Sequence, residues 1–350
     1  MTDRFLRACR RDPVDQTPVW FMRQAGRYQP EYRAVRKRYS LLEICRTPEL
    51  CAQLTLLPVA QLGVDAAILF SDITVPLLAL GVPFEIVDGT GPVIAEPLRT
   101  AADVERLRPV EPAADLPFVL DAIRLVRREA RVPLIGFAGA PFTLASYLIE
   151  GRGSRDLVLT RRLLHAEPDL WLALMTRLTD ATLAYLRAQV EAGAQAVQVF
   201  DSWVGALAPR DYAAAVLPHM RRLFGGLRAT EAPTIHFGTG TAGLLPLMAQ
   251  AGADVVSVDW RIGLGEAWAL IGDAAVQGNL DPATLLAPFG VAAAATREIL
   301  ADAGGRSGHI FNLGHGVLPQ TPVDHVRRLV DLVHQSFLVA PNPTDARRPA

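Results

Sequence analysis

The stretch "EAGAQAVQVFDSW" (191–203) contains, in order, the end of a helix, a buried strand and polar residues where that strand ends. Gly193 follows a long amphipathic segment and is the expected C-terminal cap of a helix. The run over 194–201 is short and mainly apolar, which is typical of a strand. A helix that leads directly into a buried strand is the repeating unit of α/β proteins.

The same unit recurs along the chain. Eight short apolar runs are predicted to be strands: 17–22, 66–70, 132–139, 194–201, 233–238, 253–260, 274–280 and 309–316. Helices are predicted between them over 45–63, 116–130, 167–192, 210–229, 243–251, 264–272, 289–303 and 322–338. This alternation predicts an α/β fold, a single (β/α)8 TIM-type barrel over 1–340. We also predict a β-hairpin inserted after strand two (82–97) and a disordered tail over 341–350.

Composition restricts the possible functions. Half of the 350 residues are hydrophobic and a fifth are charged, which indicates a globular protein. A net charge of -1 argues against general nucleic-acid binding. The absence of any run of about 18 apolar residues argues against a membrane span. With Cys9, Cys45 and Cys51 as the only cysteines, we expect a cytoplasmic protein with reduced thiols.

Lysine usage excludes further mechanisms. Lys37 is the only lysine, and it lies in the basic run "RKR". Pyridoxal phosphate enzymes and Schiff-base aldolases need a buried lysine, so neither class is expected.

A barrel places its catalytic groups at the C-terminal ends of the strands. An isolated aspartate after a strand is usually a cap or turn residue, but here polar residues recur at one strand end after another. This recurrence favours a site built from some of the following: Arg23, Ser71, Asp72, Gly139 to Phe142, Asp201, Ser202, His236, Gly238, Asp259, Asn279, Asp281 and His315.

Basic residues are concentrated in "FMRQAGRYQPEYRAVRKR" (21–38), which follows the first predicted strand. Gly26 and Pro30 keep its first part a loop, and Pro30 is well placed to begin a helix. Arginine suits bidentate binding of carboxylates or phosphates. We therefore predict that Arg23 and Arg27 bind a multiply charged anion. Three further basic residues of the stretch are predicted to form a solvated helix face: Arg33, Lys37 and Arg38.

The motif "GTGTAG" (238–243) is similar to a dinucleotide-binding fingerprint, with Asp259 closing the next strand. It lies in the fifth unit of eight, and the helix after it is short. A barrel loop whose amides face the site, and which could bind a carboxylate, is therefore the favoured interpretation.

Metal and nucleophile sites have little support. His236, His309 and His315 lie near strand ends, but no cysteine or second histidine stands at ligand spacing. Ser202 lacks a nucleophile elbow. We predict neither a bound metal nor a catalytic triad.

Several long motifs carry a resemblance to a known family. "PVWFMRQAGRYQPEYR" (18–33) and "GFAGAPFTLASYLIEG" (136–151) closely match the two signatures of the uroporphyrinogen decarboxylases of haem biosynthesis. "FSDI" (70–73), "FDSW" (200–203) and "NLGHG" (312–316) follow in the same order. The resemblance covers about residues 4 to 338.

The resemblance implies a (β/α)8 enzyme without a cofactor, usually a homodimer. It implies removal of CO2 from the four acetate side chains of uroporphyrinogen III, giving coproporphyrinogen III. Arg36 matches a further arginine of the family's pocket. The family's other substrate contacts fall on Arg23, Gln24, Ala25, Gly26, Arg27, Asp72, Tyr147, Ser202 and His315.

A substrate with eight carboxylates agrees with the arginine-rich loop. Asp72 is then expected to accept hydrogen bonds from pyrrole N–H groups and to stabilise a cationic ring. Arg23 and Arg27 are expected to hold carboxylates, and Arg23 is also a candidate proton donor. The remaining contacts are expected to position side-chain carboxylates: Tyr147, Ser202 and His315.

Two alternatives remain. A zinc-dependent corrinoid methyltransferase would use the same fold, but it needs His-x-Cys after strand five and a cysteine near strand eight. The chain has "HFG" (236–238) and "GHG" (314–316) there. The second alternative is a non-catalytic tetrapyrrole carrier on the same scaffold, against which Asp72 and Arg23 argue.

Overall fold

Seven parallel strands form one curled sheet, with helices packed on its outer face, in a computed structural model. The structure describes residues 3–87 and 89–337, so the predicted tail over 341–350 lies outside it. The strands of the large sheet, in spatial order, are β1 (Ala67–Ile68), β4 (Leu134–Gly139), β5 (Ala196–Asp201), β6 (Thr234–Gly238), β7 (Val255–Ser257), β8 (Ala275–Leu280) and β9 (His309–Leu313). Each of them falls within a predicted strand. Two further strands, β2 (Glu85–Val87) and β3 (Gly91–Val93), pair antiparallel with each other.

The segment predicted as the first strand, 17–22, differs from the prediction. It contributes one parallel bridge, between Val19 and Phe311 of β9. On its other side the amide of Asp65 donates to the carbonyl of Val19 at 2.8 Å. The Trp20 amide still donates to the carbonyl of Phe311 at 3.3 Å, but the two amides after it bond to side chains: Phe21 to Gln24 Oε1 and Met22 to Asn312 Oδ1. Regular strand pairing therefore stops after one bridge, although the segment lies between β9 and the residues before β1.

The helices surround the sheet, and several begin at a proline, as expected for the first helical position. Their bounds are α1 (Arg4–Cys9), α2 (Pro30–Arg36), α3 (Leu41–Arg46), α4 (Pro48–Leu62), α5 (Pro76–Ala79), α6 (Ala101–Glu105), α7 (Pro112–Asp115), α8 (Pro117–Glu129), α9 (Pro141–Glu150), α10 (Val158–Ala166), α11 (Pro168–Ala192), α12 (Pro209–Ala215), α13 (Leu217–Leu227), α14 (Leu245–Ala249), α15 (Leu264–Ile271), α16 (Phe289–Ala303) and α17 (Val323–Phe337). Short 3-10 turns cover Val204–Ala206, Arg228–Thr230, Ala242–Leu244 and Pro282–Leu286.

Alternation along each strand divides the core into two layers. In β5, Val197 and Val199 pack among the residues of α11 and α13, outside the sheet. Gln198 lies on the other face, inside the curl, and accepts a hydrogen bond from Gln277 Nε2 of β8 at 3.1 Å. The indole of Trp20 donates to Gln277 Oε1 at 2.9 Å. Because these side chains are fully buried and bonded to one another, they form a polar layer within the sheet.

Candidate active site

A cavity of about 450 Å³ opens where the parallel strands end. Its apolar floor contains Phe137, Phe200 and Phe237, from the three neighbouring strands β4, β5 and β6. Phe200 contacts the other two rings edge-on, with centroid distances of 5.4 Å and 5.6 Å. None of these three phenylalanines is among the site residues predicted from the sequence. They could have been predicted from their inward-facing positions, but only if the faces of each strand had been assigned correctly.

The family resemblance predicts ten residues that contact substrate, and all of them lie in the wall of this one cavity: Arg23, Gln24, Ala25, Gly26, Arg27, Arg36, Asp72, Tyr147, Ser202 and His315. Described residues of the antiparallel pair β2–β3 and of the turn between them also line the cavity, including Ile86, Gly89 and Pro92.

The loop over 23–27 is held in an unusual conformation. Arg23 has a left-handed backbone with φ of 58°. Such a conformation is uncommon for a residue with a side chain, and it is found preferentially at functional sites. The aliphatic part of Arg23 packs on Gly316, where an added Cβ would collide with it. At Gly26 a Cβ would lie 2.8 Å from the carbonyl oxygen of Arg23. The two glycines therefore allow the loop to present both Arg23 and Arg27 as exposed cations.

Gln24 supports this loop from beneath. Its fully buried side chain accepts from the Phe21 amide at 3.1 Å and donates to the Ala66 carbonyl at 3.0 Å. Arg33, predicted to be part of a solvated face, instead donates to the carbonyls of Arg27 and Tyr28, both at 2.9 Å. Arg33 remains exposed, but its role in the structure is to fix the main chain of the arginine loop.

Asp72 follows β1 and is held by its own turn. Its Oδ1 accepts hydrogen bonds from the amide of Thr74 at 2.9 Å and from the hydroxyl of Thr74 at 2.5 Å. The end of β4 supports the same loop, because the Gly139 amide donates to the Ile73 carbonyl at 3.1 Å. A Cβ at Gly139 would lie 2.9 Å from that carbonyl oxygen. These contacts orient a carboxylate at the wall of the cavity.

Tyr147 projects from α9 and is nearly fully buried. Burial, and after it the negative charge of Asp72, raise the pKa of Tyr147 to about 12. The phenol therefore stays protonated at neutral pH and can donate a hydrogen bond. Its ring meets the Trp203 ring edge-on at a centroid distance of 5.9 Å.

His315 follows β9 in the "NLGHG" motif. Burial, and after it the positive charge of Arg23, lower its pKa to about 4. The amide of Gly316 donates to Nδ1 of the ring at 2.6 Å. In the neutral imidazole the proton is then carried by Nε2, which makes His315 a hydrogen-bond donor without a charge.

Ser202 follows β5, and the "GTGTAG" loop (238–243) supports it from behind. The hydroxyl of Thr239 forms a short hydrogen bond with the carbonyl of Ser202. The Gly240 amide donates to Oδ2 of Asp259 at 2.6 Å. The carboxylate that this loop binds is thus the chain's own Asp259, and a 3-10 turn rather than a long helix follows the motif.

Several other polar strand-end residues have structural roles. The side-chain amide of Asn279 donates to the carbonyls of Asp259 and Ile262. Asp281 caps the 3-10 turn that follows it. Asp201 and His236 are fully buried. Arg36 does line the cavity, and its guanidinium also donates to the carbonyl of Tyr39 at 2.8 Å.

Within residues 3–87 and 89–337, no three histidine, cysteine or acidic side chains come together as a metal would require. The three cysteines are buried, and burial raises the pKa of each thiol. Nor does the described part of the chain contain a helix both long and apolar enough to cross a bilayer.

The cavity can bind a ligand that has apolar rings and several carboxylates. Its floor is aromatic, while Arg23 and Arg27 provide cations and Tyr147 and His315 provide neutral donors. Among the described lining residues, Asp72 is the one carboxylate. It can stabilise positive charge that develops on a ligand held against the floor.

Comparison with known proteins agrees with this geometry. The family model described as "Uroporphyrinogen decarboxylase (URO-D)" matches residues 1–336. The chain belongs to the uroporphyrinogen decarboxylase family. A uroporphyrinogen decarboxylase of Sorangium cellulosum is 58% identical, over 95% of this chain and 96% of that protein. Those of Thermus thermophilus (56%; 96% and 98%) and Carboxydothermus hydrogenoformans (52%; 96% and 97%) are similarly related.

Solved structures of other proteins have a fold similar to that of this uroporphyrinogen decarboxylase. A methyltransferase from Methanosarcina mazei has a TM-score of 0.77 at 24% identity, covering 95% of this chain and 98% of its own. A B12-independent methionine synthase from Shewanella has a TM-score of 0.60 at 12% identity, covering 86% and 92%. At these identities the likeness establishes the fold alone.

Proposed function

We propose that the cavity performs the reaction of its family through Asp72 and the arginine loop. The chain is a uroporphyrinogen decarboxylase, a carboxy-lyase of porphyrin and haem biosynthesis. It converts the four acetate side chains of uroporphyrinogen III to methyl groups, giving coproporphyrinogen III and four CO2.

Binding uses both parts of the cavity. The pyrrole rings lie against the aromatic floor, and the carboxylates around the macrocycle face the polar wall. Arg23 and Arg27 bind carboxylates, because a guanidinium offers two parallel donors to such a group. Arg36 contributes at the outer edge. Three uncharged donors position the remaining side chains: Tyr147, Ser202 and His315.

Asp72 stabilises the reacting ring. Protonation of a pyrrole at carbon gives a cation, and the electron pair of the breaking bond to CO2 flows into it as an exocyclic double bond. Protonation of the resulting methylene and loss of the ring proton restore the pyrrole. The net reaction consumes one proton and releases one CO2 for each acetate. An anion beside the pyrrole N–H groups lowers the energy of the cation, and Asp72 has the required charge and support.

Arg23 is the candidate for delivering the first proton, since its left-handed backbone places it at the cavity wall. A guanidinium is a very weak acid, so a proton relayed from the substrate's own carboxyl groups or from solvent would serve the same step. In either case the positive charge of Arg23 holds the acetate near the ring that is being protonated.

The observation that carries this mechanism is that Asp72 is the one carboxylate among the described lining residues, in a cavity that also has an aromatic floor and the cations Arg23 and Arg27. Anaerobic incubation with uroporphyrinogen III, following products from eight to four carboxylates, tests it. We expect Asp72→Asn to lower turnover by at least about 100-fold. Asp121→Asn, at an exposed ion pair on α8, is the matched control and should be unaffected. Near-normal turnover of Asp72→Asn would refute the electrostatic role. Substrate binding without CO2 release by the unmodified chain would instead indicate a tetrapyrrole carrier.

Further proposals concern the whole molecule. We propose a single (β/α)8 barrel over 1–340 in which the segment 17–22 takes the place of the first strand. Its bridge to β9 and the hydrogen bond between Trp20 and Gln277 inside the sheet support this. In this barrel the antiparallel pair β2–β3 is a hairpin insertion after the second strand position. We also propose a cytoplasmic homodimer that uses no cofactor and binds no nucleic acid, as the family resemblance implies. Light scattering on the purified chain tests the dimer.

A further inference from the structure

Behind the cavity wall, the side chain of Asp201 is buried on the far side of β5. Its two neighbours in sequence, Phe200 and Ser202, both line the cavity. Because successive side chains on a strand point to opposite faces, Asp201 points outward, toward the helices. It is fully buried there, together with His236 of β6. A carboxylate is costly to bury, so such a group is retained when its hydrogen bonds do something that an apolar residue cannot.

Asp201 binds a second fully buried residue, Thr143 of α9. The hydroxyl of Thr143 donates to Asp201 Oδ1 at 3.0 Å. The same hydroxyl accepts a hydrogen bond from the amide of Trp203 at 3.3 Å. The Thr143 hydroxyl therefore both donates to and accepts from residues at the end of β5 or directly after it. The contact fixes the start of α9 to the end of β5 on both sides of Ser202.

Each partner in this contact carries a residue of the cavity. Tyr147 stands one helical turn after Thr143, on the same side of α9. Ser202 lies between the two residues that Thr143 bonds. Trp203 continues the connection, because its ring contacts that of Tyr147. A further hydrogen bond, from the Ala140 amide to the Phe200 carbonyl at 2.9 Å, joins the same two elements.

Asp201 has its own support. Its Oδ2 lies 3.7 Å from Nε2 of His236 and has no hydrogen-bond partner among the described residues. Its charge, after burial, raises the pKa of Tyr212 of α12. The carboxylate is thus fully buried, with Oδ1 held by the hydroxyl of Thr143 and Oδ2 facing the ring of His236. A rigid acceptor is what a positioning role requires.

We infer that Asp201 and Thr143 are positioning residues that set the spacing between Ser202 and Tyr147, so that the two bind substrate carboxylates together. The inference rests on the proposed function, because it takes both residues as substrate contacts. Neither Asp201 nor Thr143 is among the cavity-lining residues, so both act through other residues. Since Asp72 belongs to a different loop, loss of this spacing should weaken substrate binding and leave the chemical step nearly intact.

The test is a comparison of KM and kcat for uroporphyrinogen III. Thr143→Val keeps the shape of the side chain and removes the hydroxyl. We expect its KM to rise by about 10-fold or more, with kcat within about twofold of the unmodified chain. Thr143→Ser restores the hydroxyl and should return KM to near its original value. The matched control is Thr296→Val, because the hydroxyl of this buried residue donates only within its own helix, to Ala292.

A double substitution separates positioning from packing. If Thr143 acts through the placement of Ser202, then Thr143→Val combined with Ser202→Ala should raise KM by less than the product of the two single effects. Unchanged KM in Thr143→Val, or single effects that multiply fully, would overturn the inference. Failure of the proposed function would be seen separately, as no CO2 release by the unmodified chain.

Discussion

His309 at the start of β9 should make the stability of the fold depend on pH. The ring is buried between aromatic neighbours, with centroids 6.4 Å from Trp268 and 6.3 Å from Phe311. Nε2 lies 3.1 Å from the carbonyl of Gly278. Burial lowers the pKa of His309 from 6.5 to about 4, and the charge of Arg306 contributes in the same direction. The folded protein therefore keeps this ring neutral at pH values where the unfolded chain protonates it.

The sign and size of the effect follow from proton linkage. Between pH 6.5 and about 4 the unfolded state binds more protons at His309 than the folded state does. The free energy of unfolding is therefore not reduced by this residue above pH 6.5, and it falls as the pH is lowered toward 4. At about pH 5 the loss is about 2 kcal/mol, and its limit at lower pH is about 3 kcal/mol.

Urea unfolding of the unmodified chain and of His309→Asn, at several pH values from about 7.5 to 5, measures this contribution. The substitution changes packing at every pH, so the difference at pH 7.5 serves as the internal control. We expect the variant to lose about 2 kcal/mol less than the unmodified chain on going to pH 5. Parallel losses in the two proteins would refute the assignment of the pH dependence to His309.

Three further predictions follow from packing and burial. A Cβ at Gly205 would collide with the carbonyl oxygen of Thr239, so Gly205→Ala should lower the free energy of unfolding by about 1–3 kcal/mol in urea titrations; an unchanged midpoint would contradict this. Asp65 is buried and binds Arg4 at 2.9 Å, so Asp65→Asn should cost about 3 kcal/mol while kcat of the folded enzyme stays the same, which a parallel assay of unfolding and turnover would check. Burial raises the pKa of Cys51 to about 12, so a thiol reagent at pH 8 should label it quickly only in urea; rapid labelling of the folded protein would show that the residue is accessible.

Much of the cavity lining could be predicted from residue order alone. The motifs after five of the predicted strands brought Arg23, Asp72 and His315 forward as candidates, and all three line the cavity. This succeeds because parallel strands bring residues distant in sequence to one edge of the sheet, so position after a strand is already spatial information. The same rule cannot tell inward from outward positions. Asp201 and Ser202 are neighbours in sequence, yet only Ser202 lines the cavity.

Helix α9 shows a second limit. Nine of its ten residues, from Pro141 to Ile149, are buried, and this helix was not among those predicted, although the polar residues Thr143, Ser146, Tyr147 and Glu150 recur at the three- and four-residue spacing of a helix. Tyr147 was identified from family resemblance, whereas its place one turn after Thr143 became apparent only when the helix was seen.

The sequence by itself determined where the strands of the large sheet and most of the longer helices form, and which charges lie beside them, because hydrophobic period, glycine caps and strand-end residues are local properties of the chain. Only the tertiary structure decided how the elements end. The segment 17–22 stops pairing after one bridge because Gln24 and Asn312 take its amides, and one of those side chains comes from the other end of the chain. Arg23 adopts a left-handed backbone against Gly316, almost three hundred residues away. Contacts of that kind depend on how distant segments of the described chain come together, and no local pattern encodes them.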